Sequence, residues 1–159
     1  MVLKSAGVTR AHVHHLMGMD VDVRALLHRL DLPFDMTVHD YFAICPQVNL
    51  LPWLQGSYCG EPDVAGCNAC IANRPSYGAR DIVSWRRSNA WQFIEAERVI
   101  CPSEDVRKRL ARYGFDEQAI VVPHEPVEAA PWVMSPTPVA ARINWLWHPL
   151  DRIRSLCLF

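Results

Sequence analysis

Short apolar segments alternate with segments of helical spacing along this chain, and this alternation most limits the folds that it can adopt. Four segments have the length and the apolar content of buried strands: residues 10–16 (RAHVHHL), 33–40 (PFDMTVHD), 98–102 (RVICP) and 119–123 (AIVVP). Three segments between them repeat apolar residues at helical spacing: residues 20–30, 80–97 and 103–114. Strands that alternate with helices form a parallel sheet through right-handed crossovers. The sequence therefore predicts an α/β fold.

Capping residues mark the ends of two predicted helices. Asp20 precedes the first apolar residue of the 20–30 helix, and we expect it to cap the amino end of that helix. Ser103 is expected to cap the 103–114 helix, with Glu104 and Asp105 in the first turn, where the helix dipole favours negative charge. Gly114 then suits the left-handed position that ends a helix.

Composition and charge exclude several classes of protein. The 159 residues are 50% hydrophobic and 21% charged, which suits one globular domain with a buried core. A net charge of −1 supplies no field that would attract nucleic acid, so no nucleic-acid partner is expected. The start of the chain lacks the apolar stretch of a secretory signal, and no apolar run reaches the ~18 residues of a membrane span. We therefore expect a cytoplasmic location, free or peripheral at the inner membrane surface.

Four of the six cysteines lie within residues 41–78, which contain several prolines and glycines and are expected to form a long irregular loop. Cys45, Cys59, Cys67 and Cys70 follow the pattern C-x13-C-x7-C-x2-C, and the C-x2-C end lets one turn present two sulfurs to one ion. Four thiolates suit tetrahedral Zn²⁺, which would order a loop that has little apolar material. Such a zinc ion would be structural, because protein ligands fill every position. Free thiols and disulfides are the alternatives.

Titratable side chains follow two of the predicted strands. His39 and Asp40 come directly after the apolar run at residues 34–38. Because ligands bind outside the carboxyl ends of strands in open parallel sheets, His39 is a candidate base, and Asp40 is a candidate to orient or stabilise it. His14 and His15 end the first strand and are candidates for a substrate cleft. The alternative for each is a histidine that packs or satisfies loop carbonyls, and metal binding is a further alternative for the cluster of His12, His14 and His15.

The order of these segments resembles the N-terminal half of retaining GT-B glycosyltransferases of family 4. The matching segments are HVHHLMG, LPFDMTVHDYFAICPQ, GSYCGEPDVAGCNAC, AERVICPSEDVRKRLARYG and IVVPHEPV, within residues 8–127. The most specific pieces are the strand that ends in Thr-Val-His-Asp and the pairing of ICPSEDVRKRL with a later Val-Val-Pro-His. A subset of bacterial members also carries cysteines in the loop after the His-Asp pair.

The resemblance implies a Rossmann-like domain, one half of a GT-B enzyme, with the cysteine-containing loop as an insertion. It implies that this half binds a sugar or glycan acceptor, while a second domain binds the donor, a nucleotide sugar. By the same resemblance, His39 lines the cleft near the transferred sugar. Asp40 is the second expected catalytic residue because of its position next to His39. His14, His15 and Gly18 are expected to face the acceptor and to contribute to substrate binding.

The chain departs from the family pattern at both ends. Members usually open with a strand and a glycine-rich loop, and this chain begins after that point, which predicts an exposed sheet edge. The donor-binding domain, with its basic pair and its E-x7-E motif, is also absent. We therefore expect residues 1–127 to form the incomplete N-terminal domain of a truncated enzyme. Residues 128–159 are expected to form a linker or tail, which either contains one short amphipathic helix or is sequence no longer under selection for this fold.

On this interpretation the chain is inactive without a donor-binding domain, which a separate chain would supply. The alternative function is a non-catalytic zinc-knuckle module that binds another protein through the long loop. A hydrolase is not expected, because the sequence contains no G-x-S-x-G motif.

Overall fold

Strands and helices alternate in the part of the chain that this computed structural model describes, which is residues 7–52, 56–123 and 154–158. The strands are β1 Val8–Val13, β2 Phe34–Thr37, β3 Arg98–Cys101, β4 Ala119–Val121 and β5 Arg154–Leu158. The helices are α1 Val23–Leu30, α2 Val64–Asn73, α3 Ile82–Asn89, α4 Trp91–Ile94 and α5 Glu104–Ala111. None of the helices in these residues has both the length and the apolar character that crossing a membrane requires.

The strands form one parallel sheet in the spatial order β4-β3-β2-β1-β5. From β1 the chain adds β2, β3 and β4 outward on one side, and β5 lies on the other side of β1. Helices connect the first four strands, so the described residues form a Rossmann-like α/β half-domain and the predicted fold class is confirmed. All four residues of β2 are buried, as expected for a central strand of a parallel sheet.

A single cluster of buried apolar side chains holds the sheet and the helices together. Ala11 and Val13 of β1 are fully buried, as is Val99 of β3, and Met36 of β2 joins the same cluster. The buried residues of α1 and α5 also belong to it: Val23, Leu27, Leu30 and Leu110. Successive side chains of a strand point to opposite faces of the sheet. The residues of β1 and β2 that alternate with this apolar set therefore lie on the other face.

A buried carboxylate ties the three strands β1, β2 and β3 together. Asp35 Oδ1 accepts hydrogen bonds from Arg10 Nη1 at 2.9 Å and from Arg98 Nε at 3.0 Å. Asp35 Oδ2 accepts a third from Arg98 Nη2 at 2.6 Å. Only 4% of the Asp35 side chain is exposed, against 19% for Arg10 and 49% for Arg98. The two guanidinium groups therefore compensate a charge that water does not reach.

The capping predictions are correct for α5 and wrong for α1. Ser103 accepts from the amide of Val106, and Gly114 has the left-handed φ of +77° after α5. At α1 the cap is Asp22, which accepts from the amide of Ala25 at 2.9 Å. The helix begins only at Val23, which is the first buried residue of the predicted 20–30 helix. Asp20 therefore lies too far upstream to reach the free amides of the first turn.

The stretch at residues 41–78 is not irregular throughout, which corrects the sequence-based expectation. It contains α2, whose amino end is capped by Asp63 through a 2.8 Å hydrogen bond from the amide of Gly66. Ile71 is the buried residue of this helix. One buried side chain gives almost no periodic apolar signal, and the helix is therefore hard to recognise from its sequence.

Strand β5 covers the outer side of β1, where the sequence predicts an exposed edge. Residues 154–158 run parallel to β1, with His12 opposite position 157 in the register. Residues 154–158 of the expected linker or tail thus form a strand. Leu156, Cys157 and Leu158 form an apolar run that suits a strand. Residues 124–153, which include the predicted domain boundary at residue 127, lie outside the described residues.

We expect the substitution Asp35→Asn to lower the free energy of unfolding by about 1–3 kcal/mol, because it removes the charge that neutralises two guanidinium groups. The partial exposure of both arginines keeps the loss below the ~3–5 kcal/mol of a pair with no access to water. Urea unfolding measures the difference. Glu104→Gln, which removes an exposed ion pair with Arg107, is the matched control and should have a much smaller effect. Equal losses in the two variants would contradict the stabilising role of Asp35.

Candidate functional site

Polar side chains of β1 and β2 and of the residues that follow them form a regular series of contacts on one face of the sheet, which we call the polar ladder. Its three cross-strand pairs each join residues 25 positions apart: Arg10–Asp35, His12–Thr37 and His14–His39. Their contacts are Nη1···Oδ1 at 2.9 Å, Nε2···Oγ1 at 2.7 Å and Nδ1···Nε2 at 2.9 Å, respectively. The constant separation follows from the parallel register and from the two-residue period of each strand.

The histidine end of the polar ladder lies at the carboxyl end of the sheet. β1 ends at Val13 and β2 ends at Thr37, so His14 and His39 follow the ends of two neighbouring parallel strands. The strand order reverses on the other side of β1, between β1 and β5, so His14 borders the point of reversal. Open α/β sheets bind ligands outside the carboxyl ends of their strands. The fold thus brings His14 and His39 to the edge where sequence reasoning expected a site.

Three imidazole rings are stacked along this end of the polar ladder. The ring centroids of His12 and His14 are 4.2 Å apart, and those of His14 and His39 are 5.2 Å apart. Burial lowers the pKa of His14 to about 4, and repulsion from His12 and His39 adds to the effect. His14 is therefore neutral at pH 7. A neutral imidazole offers one N–H donor and one acceptor nitrogen, which suits partners with hydroxyl groups.

Asp40 is held by the loop that follows β2 and contacts the other histidine of the cluster. Its Oδ2 lies 2.7 Å from His15 Nδ1, and its Oδ1 accepts from the amide of Phe42 at 2.8 Å. The His15–Asp40 pair continues the 25-residue spacing of the polar ladder beyond the strands. Asp40 therefore orients His15, whereas the ring of His39 contacts His14. The sequence identified these four residues but not their pairing.

Aromatic and sulfur-containing side chains line the rim beside the histidines. The hydroxyl of Tyr77 lies 2.6 Å from Met17 Sδ, in the loop after β1, and 54% of Tyr77 is exposed. Its ring packs edge-on against Phe42, which in turn packs edge-on against Trp85. Sequence reasoning missed Tyr77, because nothing in its neighbours indicates that it lies opposite the loop after β1.

Gly18 shapes the loop that carries His14 and His15. The loop turns through a hydrogen bond from the amide of Met19 to the carbonyl of Leu16, and Gly18 has a φ of +77°. A Cβ atom at this position would meet nothing within 4 Å. The left-handed backbone, rather than a lack of space, is therefore what favours glycine here.

The four cysteines within residues 41–78 line one cavity, although two of them lie in the loop after β2 and two lie on α2. This cavity has a volume of about 40 Å³ and is lined by Cys45, Cys59, Cys67 and Cys70. Every cysteine within residues 7–52 and 56–123 is a free thiol. Burial raises the pKa of Cys45 to about 11. Within the same residues, no group of three or more histidine, cysteine, aspartate or glutamate side chains is arranged to hold a metal ion as it stands.

We expect the stability of the protein to fall as the pH drops from about 6.5 to about 4, and His14→Gln to flatten this fall. The lowered pKa means that the unfolded chain binds a proton at residue 14 throughout this range, while the folded chain resists it. The stabilisation is thus fully present above pH 6.5 and is lost toward pH 4. Urea unfolding at several pH values measures the slope. The exposed His28, changed to Gln, is the control, and an equal flattening there would contradict the role of His14.

Comparison with known proteins agrees with this architecture. A family model described as Glycosyltransferase Family 4 matches residues 2–130, which include β1 to β4, the polar ladder and the four loop cysteines. No curated protein and no solved structure matches the chain. The matched residues make up most of the sequence and contain the segments that carry the resemblance. The chain therefore belongs to Glycosyltransferase Family 4, whose activity at the level of the family is glycosyl transfer.

Proposed function

We propose that this chain is the acceptor-binding half of a nucleotide-sugar-dependent glycosyltransferase. The acceptor, a polysaccharide or similar glycan, would bind at the carboxyl ends of β1 and β2. The observation that carries the proposal is the stack of histidines at that edge, in a chain whose family transfers sugars. The neutral imidazole of His14 matches the hydroxyl groups of a glycan better than it matches a charged ligand.

The chemistry of the rim supports a sugar ligand. A sugar ring presents hydroxyl groups around its edge and C–H groups on its faces. His14 and His39 can exchange hydrogen bonds with the hydroxyl groups, and the exposed ring of Tyr77 can pack against a C–H face. The histidines follow neighbouring strands, and Tyr77, which lies between α2 and α3, reaches the loop after β1 through its contact with Met17.

His39 is the residue that we assign to the acceptor hydroxyl. It is exposed at the rim, and its Nε2 atom shares a hydrogen bond with His14 Nδ1. A neutral imidazole has one nitrogen with a lone pair, and such a nitrogen can take a proton from a hydroxyl group. We assign Asp40 to the support of this cluster through His15.

The donor would be bound elsewhere. The departing nucleoside diphosphate needs basic side chains or a metal to stabilise its charge. A cluster with a neutral histidine at its centre and a carboxylate beside it is poorly suited to that task. We therefore assign the nucleotide sugar to a second, donor-binding domain, and we expect no transfer by the acceptor-binding half without it.

We expect a neutral oligosaccharide acceptor to shift the imidazole NMR signals of His14 and His39 while leaving those of His28 in place. His39→Ala should then weaken binding by about tenfold or more, because roughly 1.4 kcal/mol corresponds to the loss of one or two good hydrogen bonds. Titration of the ¹⁵N-histidine-labelled protein with a panel of neutral oligosaccharides provides the measurement.

His28→Ala is the matched control, since His28 lies on α1 and pairs with Glu95. Equal affinity of His39→Ala and the unchanged protein for an oligosaccharide that binds would contradict the assignment of His39. Movement of the His28 signal alone would contradict the location of the site.

A further inference from the structure

We propose that Cys45, Cys59, Cys67 and Cys70 bind one structural zinc ion. The proposal is independent of the acceptor-binding role, because it depends on a different cluster of side chains. The fold brings these four thiols to one cavity from two separate pieces of chain. Cys45 and Cys59 lie in the loop after β2, and Cys67 and Cys70 lie on α2.

Local backbone structure holds each cysteine toward the cavity. Cys67 and Cys70 are three residues apart on α2, which places them on the same side of the helix. Cys45 lies in a turn in which its amide donates to the carbonyl of Tyr41 at 2.8 Å, and the amide of Cys59 donates to the carbonyl of Leu50 at 2.9 Å. The helix and the loop thus meet at the sulfur-lined cavity.

The composition of the cavity selects the metal. Its other lining residues are mostly apolar, among them Pro46, Leu50, Ile71 and Ile82, so sulfur is the main donor available. Four thiolates and no carboxylate favour zinc over magnesium or calcium, which prefer oxygen ligands. Because four protein ligands complete a tetrahedron, such an ion has a structural rather than a catalytic role.

The size of the cavity permits the ion and requires a contraction. A volume of about 40 Å³ exceeds the ~10–15 Å³ that one water-sized sphere occupies. Zinc–sulfur bonds are ~2.3 Å long, so the four sulfurs must move inward to surround the ion. The movement is needed because, within the described residues, no three of these thiols have a metal-binding arrangement as they stand.

Neighbouring groups supply the hydrogen bonds that thiolate ligands need. The amide of Glu61 donates to Cys59 Sγ at 3.4 Å, and Arg86 Nη2 donates to Cys67 Sγ at 3.7 Å. Four thiolates around Zn²⁺ carry a net charge of −2, which the guanidinium of Arg86 partly offsets. Arg86 also donates through Nε to the carbonyl of Ile44 at 3.0 Å and so joins α3 to the cysteine loop.

We expect the full chain, purified under reducing conditions and supplied with zinc, to contain one zinc ion per chain by elemental analysis. Replacement of zinc by Co²⁺ should give the visible absorption and the sulfur-to-cobalt charge-transfer bands of a tetrahedral thiolate site. Cys67→Ser should reduce the zinc content at least several-fold. Cys101→Ala, a change in a core cysteine of β3 that does not line the cavity, is the matched control and should keep it.

The unchanged protein also provides a test that does not depend on a variant that folds. A thiol-specific mercurial should release the zinc as it reacts, with the metal followed by a chromophoric chelator. The proposal is overturned if the reduced, folded chain binds no zinc, or if cobalt gives the weak absorption of an octahedral oxygen site. Loss of zinc from Cys101→Ala as large as that from Cys67→Ser would overturn it as well.

Discussion

The parallel pairing of β1 with β2 at one fixed register is the constraint on which the rest of the structure depends. It puts the apolar residues of both strands on the core side of the sheet. The polar residues that alternate with them lie on the other side. Asp35 occupies the amino end of that polar series with two arginines, and the imidazoles occupy the carboxyl end. A slip of one residue would turn each set to the wrong face, so the buried charge and the candidate site are specified together.

The cysteine loop is a structural support for the rim as well as a candidate metal site. Trp85 Nε1 donates to the carbonyl of Phe42 at 2.8 Å, which is two residues after Asp40. At the other end of the loop, the buried carboxylate of Glu61 pairs with Arg109 and accepts from the hydroxyl of Tyr113 at 2.6 Å. The loop is therefore held to α3 and to the α5 region. A change in its conformation would move the residues at the carboxyl edge of the sheet.

Features whose signals are local in the sequence were predictable, and features that depend on distant partners were not. The strands β1 to β4, the cap at Ser103 and the positions of His39 and Asp40 follow from short patterns around each residue. The helix α2 was not predicted, because its single buried residue produces no periodic apolar pattern. The strand β5 was not predicted, because its partner strand lies at the other end of the sequence. The contact of His14 with His39 is visible only once the register is known.

Strand β5 has a consequence for how the chain acquires its structure. Translation releases residues 7–123 from the ribosome before residues 154–158, so a nascent chain can assemble β1 to β4 while the outer edge of β1 still has its backbone groups unpaired. Contacts between residues so far apart in sequence form slowly, because a large loop must close first. Strand β5 thus joins the sheet after the other strands. Until it does, the outer edge of β1 can pair with a second nascent copy of the chain.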